Sequence, residues 1–587
     1  MSDTESVDAY AVGPPPPSRP GGVPLADLVW LVVGLVTIGA LGVATLFVWI
    51  VHMKDIGFAD LAKGTIALVA ATAALTQALV AALRWRLPRW IYTGILLALG
   101  LAAFVAYFDG FKFGYSKFYH RWEHFHTYLP ARYFPELGYE RLYPCTAIAE
   151  AELGVVQIHD EAKDVDRPLD LALEVSAAGA TIRRVENDTL VPTAGVLADA
   201  GANCKARFTP ERWEAFKADV AFFRTQSDKR YWTDMQRDHG FAMTPVWLVA
   251  GRVLASLHPA SVLNQQILAL IDPLYLVAMF AALAWAFGAR VSAAAMILWG
   301  CQAIAPFYWT GGAFLRQDWL FYLVFAACLA HKRWFKLAGA SFAYAWLSRG
   351  FPGWAAIGLA VFVAALLVRR RRLPRALRHA GFGAVVAAIT LFIASVVVAG
   401  PDAYPRYFEI AAVRGDTPLT NDVGLPVILS HDFGGGPGSG RMEYAKDPSA
   451  IDPFAVWKEK RRARFADRAP AFWGILACLA AGFAYALRRY RLLWIPYALS
   501  QLFIVACVKL TCMNYPFLVL TAPITRVRRG LEVALFCFAS LTQILAIALT
   551  WNDDRYAWLS VATFVFLVGL TAAMHRPRQR ARRAPAR

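Results

Sequence analysis

A chain of 587 residues that is 58% hydrophobic and only 17% charged, with a mean hydropathy of +0.42, carries more apolar surface than a soluble domain of its size needs. Its net charge of +18 does not indicate nucleic acid, because Lys and Arg stand in short runs between apolar segments rather than along one polar face. Composition therefore implies a polytopic membrane protein.

Residues 1–26 include Pro14-Pro15-Pro16-Pro17 and no basic n-region, so a disordered cytoplasmic tail before a signal anchor is expected, not a cleaved signal peptide. Apolar runs of spanning length follow at 28–51, 64–83, 91–108, 262–288, 291–309, 353–368, 380–400, 471–487, 492–508, 531–550 and 556–574. Shorter ones lie near 318–330, 337–348 and 512–525. Together they predict an all-α polytopic membrane protein of about 14 transmembrane helices, with a large outer-face loop domain after the third span. Basic connections at 84–89, 290, 331–336, 369–378, 488–491 and 526–529, and the Arg-rich tail, occupy every second connection. Both termini are predicted to be cytoplasmic.

The resulting divisions are the tail 1–26, three spans in 27–108, an outer loop domain with interfacial helices at 109–261, spans in 262–400, a second outer loop at 401–470, spans in 471–574 and a basic cytoplasmic tail at 575–587. The first loop is expected to fold as a small α or α/β domain. It holds two cysteines, Cys145 and Cys204, which in an oxidising compartment would form a stabilising disulfide; two free thiols are the alternative. Cys301, Cys328, Cys478, Cys507, Cys512 and Cys537 lie in or beside apolar runs without metal-ligand spacing and read as packing residues. The basic stretch 457–465 falls in the second outer loop. A juxtamembrane amphipathic helix meeting lipid headgroups or a lipid phosphate is its expected role. The glycine-rich run 434–440 before it reads as a flexible hinge and lacks the lysine and the strand–helix context of a phosphate-binding loop.

Chemistry concentrates in Trp122-Glu123-His124-Phe125-His126-Thr127-Tyr128, just after the third apolar run. Such a stretch also suits an aromatic helix anchored at the headgroups. Opposing it at the same membrane face are Asp238 and His239, Arg316 and Asp318, Arg349, and Asn421. Glycosyl transfer from a lipid phosphate needs a carboxylate to deprotonate the acceptor and cations to stabilise the departing phosphate. Glu123 is the candidate base, with Asp238 as a second carboxylate. Arg316 and Arg349 are candidate donor-phosphate ligands, because guanidinium forms forked bonds to phosphate oxygens. His124, His126, Tyr128, His239, Asp318 and Asn421 are candidates to shape the acceptor cavity. His124 and His126 are also candidates to ligate a divalent metal ion, although no complete ligand spacing accompanies them. Interfacial anchoring or local ion pairing is the alternative for each arginine, and helix capping for Asp238.

The run Arg316-Gln317-Asp318-Trp319-Leu320, the basic His331-Lys332-Arg333, Leu337-Ala338-Gly339-Ala340-Ser341, Arg349-Gly350-Phe351-Pro352 and basic 369–372 resemble the central block of polyprenyl-phosphate-mannose-dependent mannosyltransferases of the glycosyltransferase-C superfamily. In that block a Gly-Gln element opens a span and a Lys-x-x-Pro element follows; this chain has Arg-Gln and Arg349 instead. Thr420-Asn421-Asp422-Val423-Gly424-Leu425 is similar to an Asn-containing element of a later outer loop. The opening stretch is similar to the family's acidic first-loop motif, with Glu123 where aspartate is usual and after the third span rather than the first.

The resemblance implies an integral membrane glycosyltransferase that moves a hexose or pentose from a polyprenyl-phosphate donor to a glycan, lipid or protein acceptor on the outer face of a bacterial cytoplasmic membrane. Expected partners are that donor, membrane lipids and the acceptor, with no nucleic acid. The alternatives are a transporter or flippase of a lipid-linked sugar, for which no repeated halves are visible, and a non-catalytic membrane subunit of an envelope-polymer assembly.

Overall fold

A computed structural model describes residues 25–575 except 53–56, 84, 86–87, 112–117, 161–164, 200–203, 491 and 529. The expected tails 1–26 and 575–587 lie outside the described residues, apart from their innermost positions. Among the described residues, nine helices are long and apolar enough to cross a membrane: Leu28–His52, Phe58–Ala82, Trp90–Tyr107, Val262–Phe287, Phe351–Arg369, Arg375–Ala399, Ala469–Leu487, Leu531–Ala548 and Asn552–Ala573. Pro245–Ser256, Ala289–Cys301, Asp318–His331 and Trp494–Cys507 are shorter apolar helices. The chain is thus an all-α polytopic protein in its main mass.

Two expected spans take other forms. The run 291–309 is broken into the helix Ala289–Cys301 and the start of a single turn, Phe307–Thr310. Gln302 then turns the chain by accepting the backbone N–H groups of Ile304 and Ala305 at 2.8 and 3.0 Å. The run 512–525 is a buried 3₁₀ helix, Cys512–Arg526, with Pro516 and Pro523 inside it. Each proline removes a donor and clashes with the carbonyl four residues back in an α-helix, which favours the narrower winding.

The helices Phe335–Arg349 and Arg375–Ala399 approach through glycine. A Cβ at Gly339 would collide with the Ala380 backbone, and one at Gly383 with the Lys336 backbone, so neither position admits a side chain without separating the helices. At what the basic loops mark as the opposite end from Glu123, Glu532 takes two bonds from Arg290, at 2.7 and 2.6 Å, and one from the Tyr92 hydroxyl at 2.6 Å. That group ties together three helices.

The hydrophobic interior falls into a helix-bundle core, a second core built mainly from 125–255 and completed by Leu268, Phe314, Leu315, Ala403 and Ile410, and a small third cluster of Leu425, Phe472 and Ala506. The second core contains the Cys145–Cys204 disulfide, whose Cα atoms are 5.5 Å apart. Small antiparallel ribbons decorate it: Val155–Asp160 with Val165–Asp170, and Thr181–Arg184 with Thr189–Pro192. A third ribbon pairs Asp422–Val423 with Leu510–Thr511, fastening the later loop to the entrance of the 3₁₀ segment.

The basic helix Ala455–Asp467 corrects the expectation of a lipid-facing surface. Lys458 reaches Asp188 at 2.8 Å and Asp452 at 3.0 Å, Arg461 reaches Asp553 at 3.3 Å, Arg462 reaches Asp416 at 2.8 Å, and Arg464 reaches Asp432 at 2.9 Å. Trp457 beside them is buried. Four of its five basic residues thus meet acids of this chain, four of those acids outside the helix's own neighbourhood in sequence, while Lys460 donates to the Gly438 carbonyl at 2.7 Å.

Candidate functional site

The N-terminal turn of Asp318–His331 and the C-terminal end of Phe335–Arg349 lie side by side, because the two helices run antiparallel across a short connection. Helix Arg121–Arg132 of the second core sits over this end. Its Glu123 carboxylate meets Arg316 Nη1 at 3.3 Å, with both side chains 12% exposed. Arg316 Nη2 also lies 2.8 Å from the Met513 sulfur, at the start of the 3₁₀ segment.

Arg349 closes the other side. Its Nη2 donates to the Leu315 carbonyl at 3.1 Å, Nη1 rests against the Met243 sulfur, and the guanidinium lies over the Trp247 ring at 6.0 Å. The charges acting on it are Arg316, Asp318, Glu123 and Asp272. Its Nε is buried without a hydrogen-bond partner, as is Gln317 Oε1. Two guanidinium groups thus stand among three carboxylates, and Arg349 Nε is a buried donor left without a partner.

Asp272 is the member that sequence reading missed. It accepts the backbone N–H of Arg316 at 2.8 Å and of Gln317 at 2.9 Å. It thereby fixes the turn from which Arg316 projects. The available signal was an acid inside the long apolar run 262–288, since an intramembrane carboxylate is costly without a role. Asp318, which was a candidate, accepts the Tyr344 hydroxyl at 2.9 Å and is fully buried.

No protein-family model matches this chain, and neither a curated protein nor a solved structure does.

The remaining candidates divide into a second polar group and residues held in packing. Asp238 accepts the Trp122 indole N–H at 2.7 Å and lies 3.7 Å from His126 Nε2. Burial opposes its ionisation, but the His126 and His239 imidazoles and the indole hold the carboxyl below the usual aspartate range. His126 also contacts the Tyr143 hydroxyl at 2.8 Å, and that hydroxyl accepts the Gly240 N–H at 2.7 Å. His239 turns away to Asp188, with Nδ1 at 2.7 Å. Asp188 is a junction among Arg183, His239, Thr417 and Lys458, so the two loops share one buried charge cluster.

His124, Tyr128 and Asn421 do not line the Glu123–Arg316 site. His124 spends one ring nitrogen on Gln265 at 2.5 Å and the other on the Gly312 carbonyl at 3.0 Å. Burial pushes its imidazole down to about 4, and that of His120 to about 3, so both are neutral at pH 7. Tyr128 donates to the His258 carbonyl at 2.7 Å from within the second core. Asn421 packs on Cys512, its carbonyl accepting the Cys512 N–H at 2.8 Å. Among the described residues no group of three or more His, Cys, Asp or Glu is arranged to hold a metal ion, and His124 has no nitrogen left for one. Among the described residues, His124 and His126, their ring nitrogens engaged by Gln265, Gly312, Trp122 and Tyr143, do not fit the divalent ion considered from sequence.

Proposed function

We propose that the protein is an integral membrane glycosyltransferase that takes a sugar from a polyprenyl-phosphate donor and passes it to an acceptor hydroxyl at the outer face. The observation that carries this reading is the Glu123–Arg316 pair at 3.3 Å beside the second guanidinium of Arg349. A base and two phosphate ligands are what such a transfer requires.

In this mechanism the donor phosphate binds between Arg316 and Arg349 and competes with Glu123 for the Arg316 guanidinium. Released from its ion pair, Glu123 accepts the proton of the acceptor hydroxyl. The acceptor oxygen bonds to the anomeric carbon as the bond from that carbon to the phosphate oxygen breaks. Polyprenyl phosphate leaves with the bonding pair, its added charge stabilised by the two arginines. Asp272 and Asp318 hold the Arg316 turn and the Arg349 environment.

Five shorter segments, Ala289–Cys301, Asp318–His331, Phe335–Arg349, Trp494–Cys507 and Cys512–Arg526, stand where the sequence pattern places spans beyond the nine long helices. Counted with the nine, they would make about 14 membrane-embedded segments, the shorter ones entering the membrane without an α-helix of full spanning length; the reading includes the second core as an outer loop domain, both termini cytoplasmic, and a bacterial cytoplasmic membrane as the location. The test is incubation of the purified protein with radiolabelled polyprenyl-phosphate hexoses and pentoses and membrane acceptors. Labelled product with stoichiometric polyprenyl phosphate is expected. Movement of the intact donor across a vesicle bilayer without cleavage would overturn the reading in favour of a flippase.

A further inference from the structure

On the helix turn that carries Glu123, the preceding residue faces elsewhere and builds a second surface. Trp122 and Tyr231 lie with ring centroids 5.4 Å apart and planes at 83°, and the Arg121 guanidinium covers the Tyr231 ring at 5.3 Å. All three side chains are partly exposed. The Asp238 carboxylate, 33% exposed, stands at the edge of the pair.

Aromatic residues that anchor a protein at a membrane surface turn their N–H and O–H groups toward the headgroups. Here those groups turn inward. Trp122 Nε1 donates to Asp238 Oδ2 at 2.7 Å, and the Tyr231 hydroxyl accepts the Trp122 backbone N–H at 3.2 Å. The polar atoms thus lock the rings in place edge to face, with the Arg121 guanidinium laid over Tyr231, and the part left exposed is aromatic carbon beside a carboxylate and a guanidinium. A pyranose or furanose presents the matching pattern: a face of C–H groups rimmed by hydroxyls that donate to a carboxylate and accept from a guanidinium.

We propose that Trp122, Tyr231, Asp238 and Arg121 form a carbohydrate-binding platform that seats a glycan acceptor. The proposal rests on the glycosyl-transfer reading and narrows it, since it selects a sugar chain over a lipid or protein hydroxyl. Trp122 and Glu123 are successive on helix Arg121–Arg132, at one depth but about 100° apart around it, so a glycan of several residues is what would span from the platform to Glu123. Asp238 is here a positioning and binding group rather than a second base.

The test is equilibrium binding of neutral trisaccharides (maltotriose, cellotriose and mannotriose) to the full-length protein in detergent, without donor, followed by saturation-transfer NMR. Binding of at least one trisaccharide is expected, weakened about tenfold by Trp122→Ala and by Tyr231→Ala, and less than about threefold by Trp122→Phe, which keeps a ring. A folded Tyr231→Ala protein, checked by its thermal midpoint, keeps the test decisive if Trp122→Ala does not fold. Absence of binding at about 10 mM sugar, or binding indifferent to the folded alanine variants, overturns the platform. Such a result leaves transfer to a lipid or protein acceptor intact as a separate measurement. Sugar binding lost in the variants of a protein that cleaves no donor would instead sustain the platform and remove the transferase reading.

Discussion

Replacing Glu123 by glutamine keeps the size and shape of a side chain that is 12% exposed and changes only its charge and basicity. The variant has no group to take the acceptor proton. A positioned general base contributes about 10²- to 10⁴-fold, so single-turnover transfer should fall by that factor, equivalent to about 3–5 kcal/mol of barrier. Donor binding should respond in the opposite sense. Arg316 loses the carboxylate 3.3 Å away that competes for it, so the affinity for polyprenyl phosphate should hold or rise. The assay pairs rapid-quench transfer from a radiolabelled donor with equilibrium binding of unlabelled polyprenyl phosphate. A rate within about tenfold of wild type would refute the base assignment. Joint loss of rate and donor affinity would refute it differently, by showing that Glu123 serves only to hold Arg316.

Arg290→Leu leaves Glu532, 3% exposed, buried with the Tyr92 hydroxyl but no cation; a lowering of stability by about 3 kcal/mol is expected in denaturant titration. Cys145→Ser opens a loop with a sequence separation of 59 residues and should cost about 4 kcal/mol by the loop-entropy argument, read as a lower thermal midpoint that reductant no longer changes. Burial pushes the Glu150 carboxyl up to about 7, against the Trp232 indole and Arg224. A raised acid pKa means the folded state holds the proton longer than the unfolded chain. Stability should therefore decline as pH rises from about 4.5 to about 7, and Glu150→Gln should flatten that decline, as seen in unfolding midpoints across this range. Lys458→Met removes the cation shared by Asp188 and Asp452, and limited proteolysis of the 434–440 glycine loop should quicken as the second loop loosens on the first.

The long apolar runs were legible because each reports its burial in lipid directly through composition. The meeting of Glu123 and Arg316 was legible for a related reason: charges at the ends of apolar runs stand out against their surroundings. Asp272 was hidden by the run that contains it. The basic 457–465 stretch misled because its neutralising acids are remote; Lys458 and Asp188 are separated by 270 residues, and no local pattern announces such a pair. Tyr128 and His124 share the helix of Glu123, but the helical rotation between side chains sends them into packing against His258 and Gly312. Sequence proximity on one helix places residues at one depth without placing them at one site.

The 3₁₀ segment Cys512–Arg526 also acts as a ruler. Its 15 residues advance about 2.0 Å each, so they measure out about 30 Å, the thickness of a hydrocarbon core, with fewer residues than an α-helix needs. Rewinding it as an α-helix would shorten it by about 7 Å, drawing Met513 away from Arg316 or pulling the far end inward. Pro516 and Pro523 are therefore spacers as well as helix breakers, and replacing both by alanine alters a length on which the level of the arginine site depends.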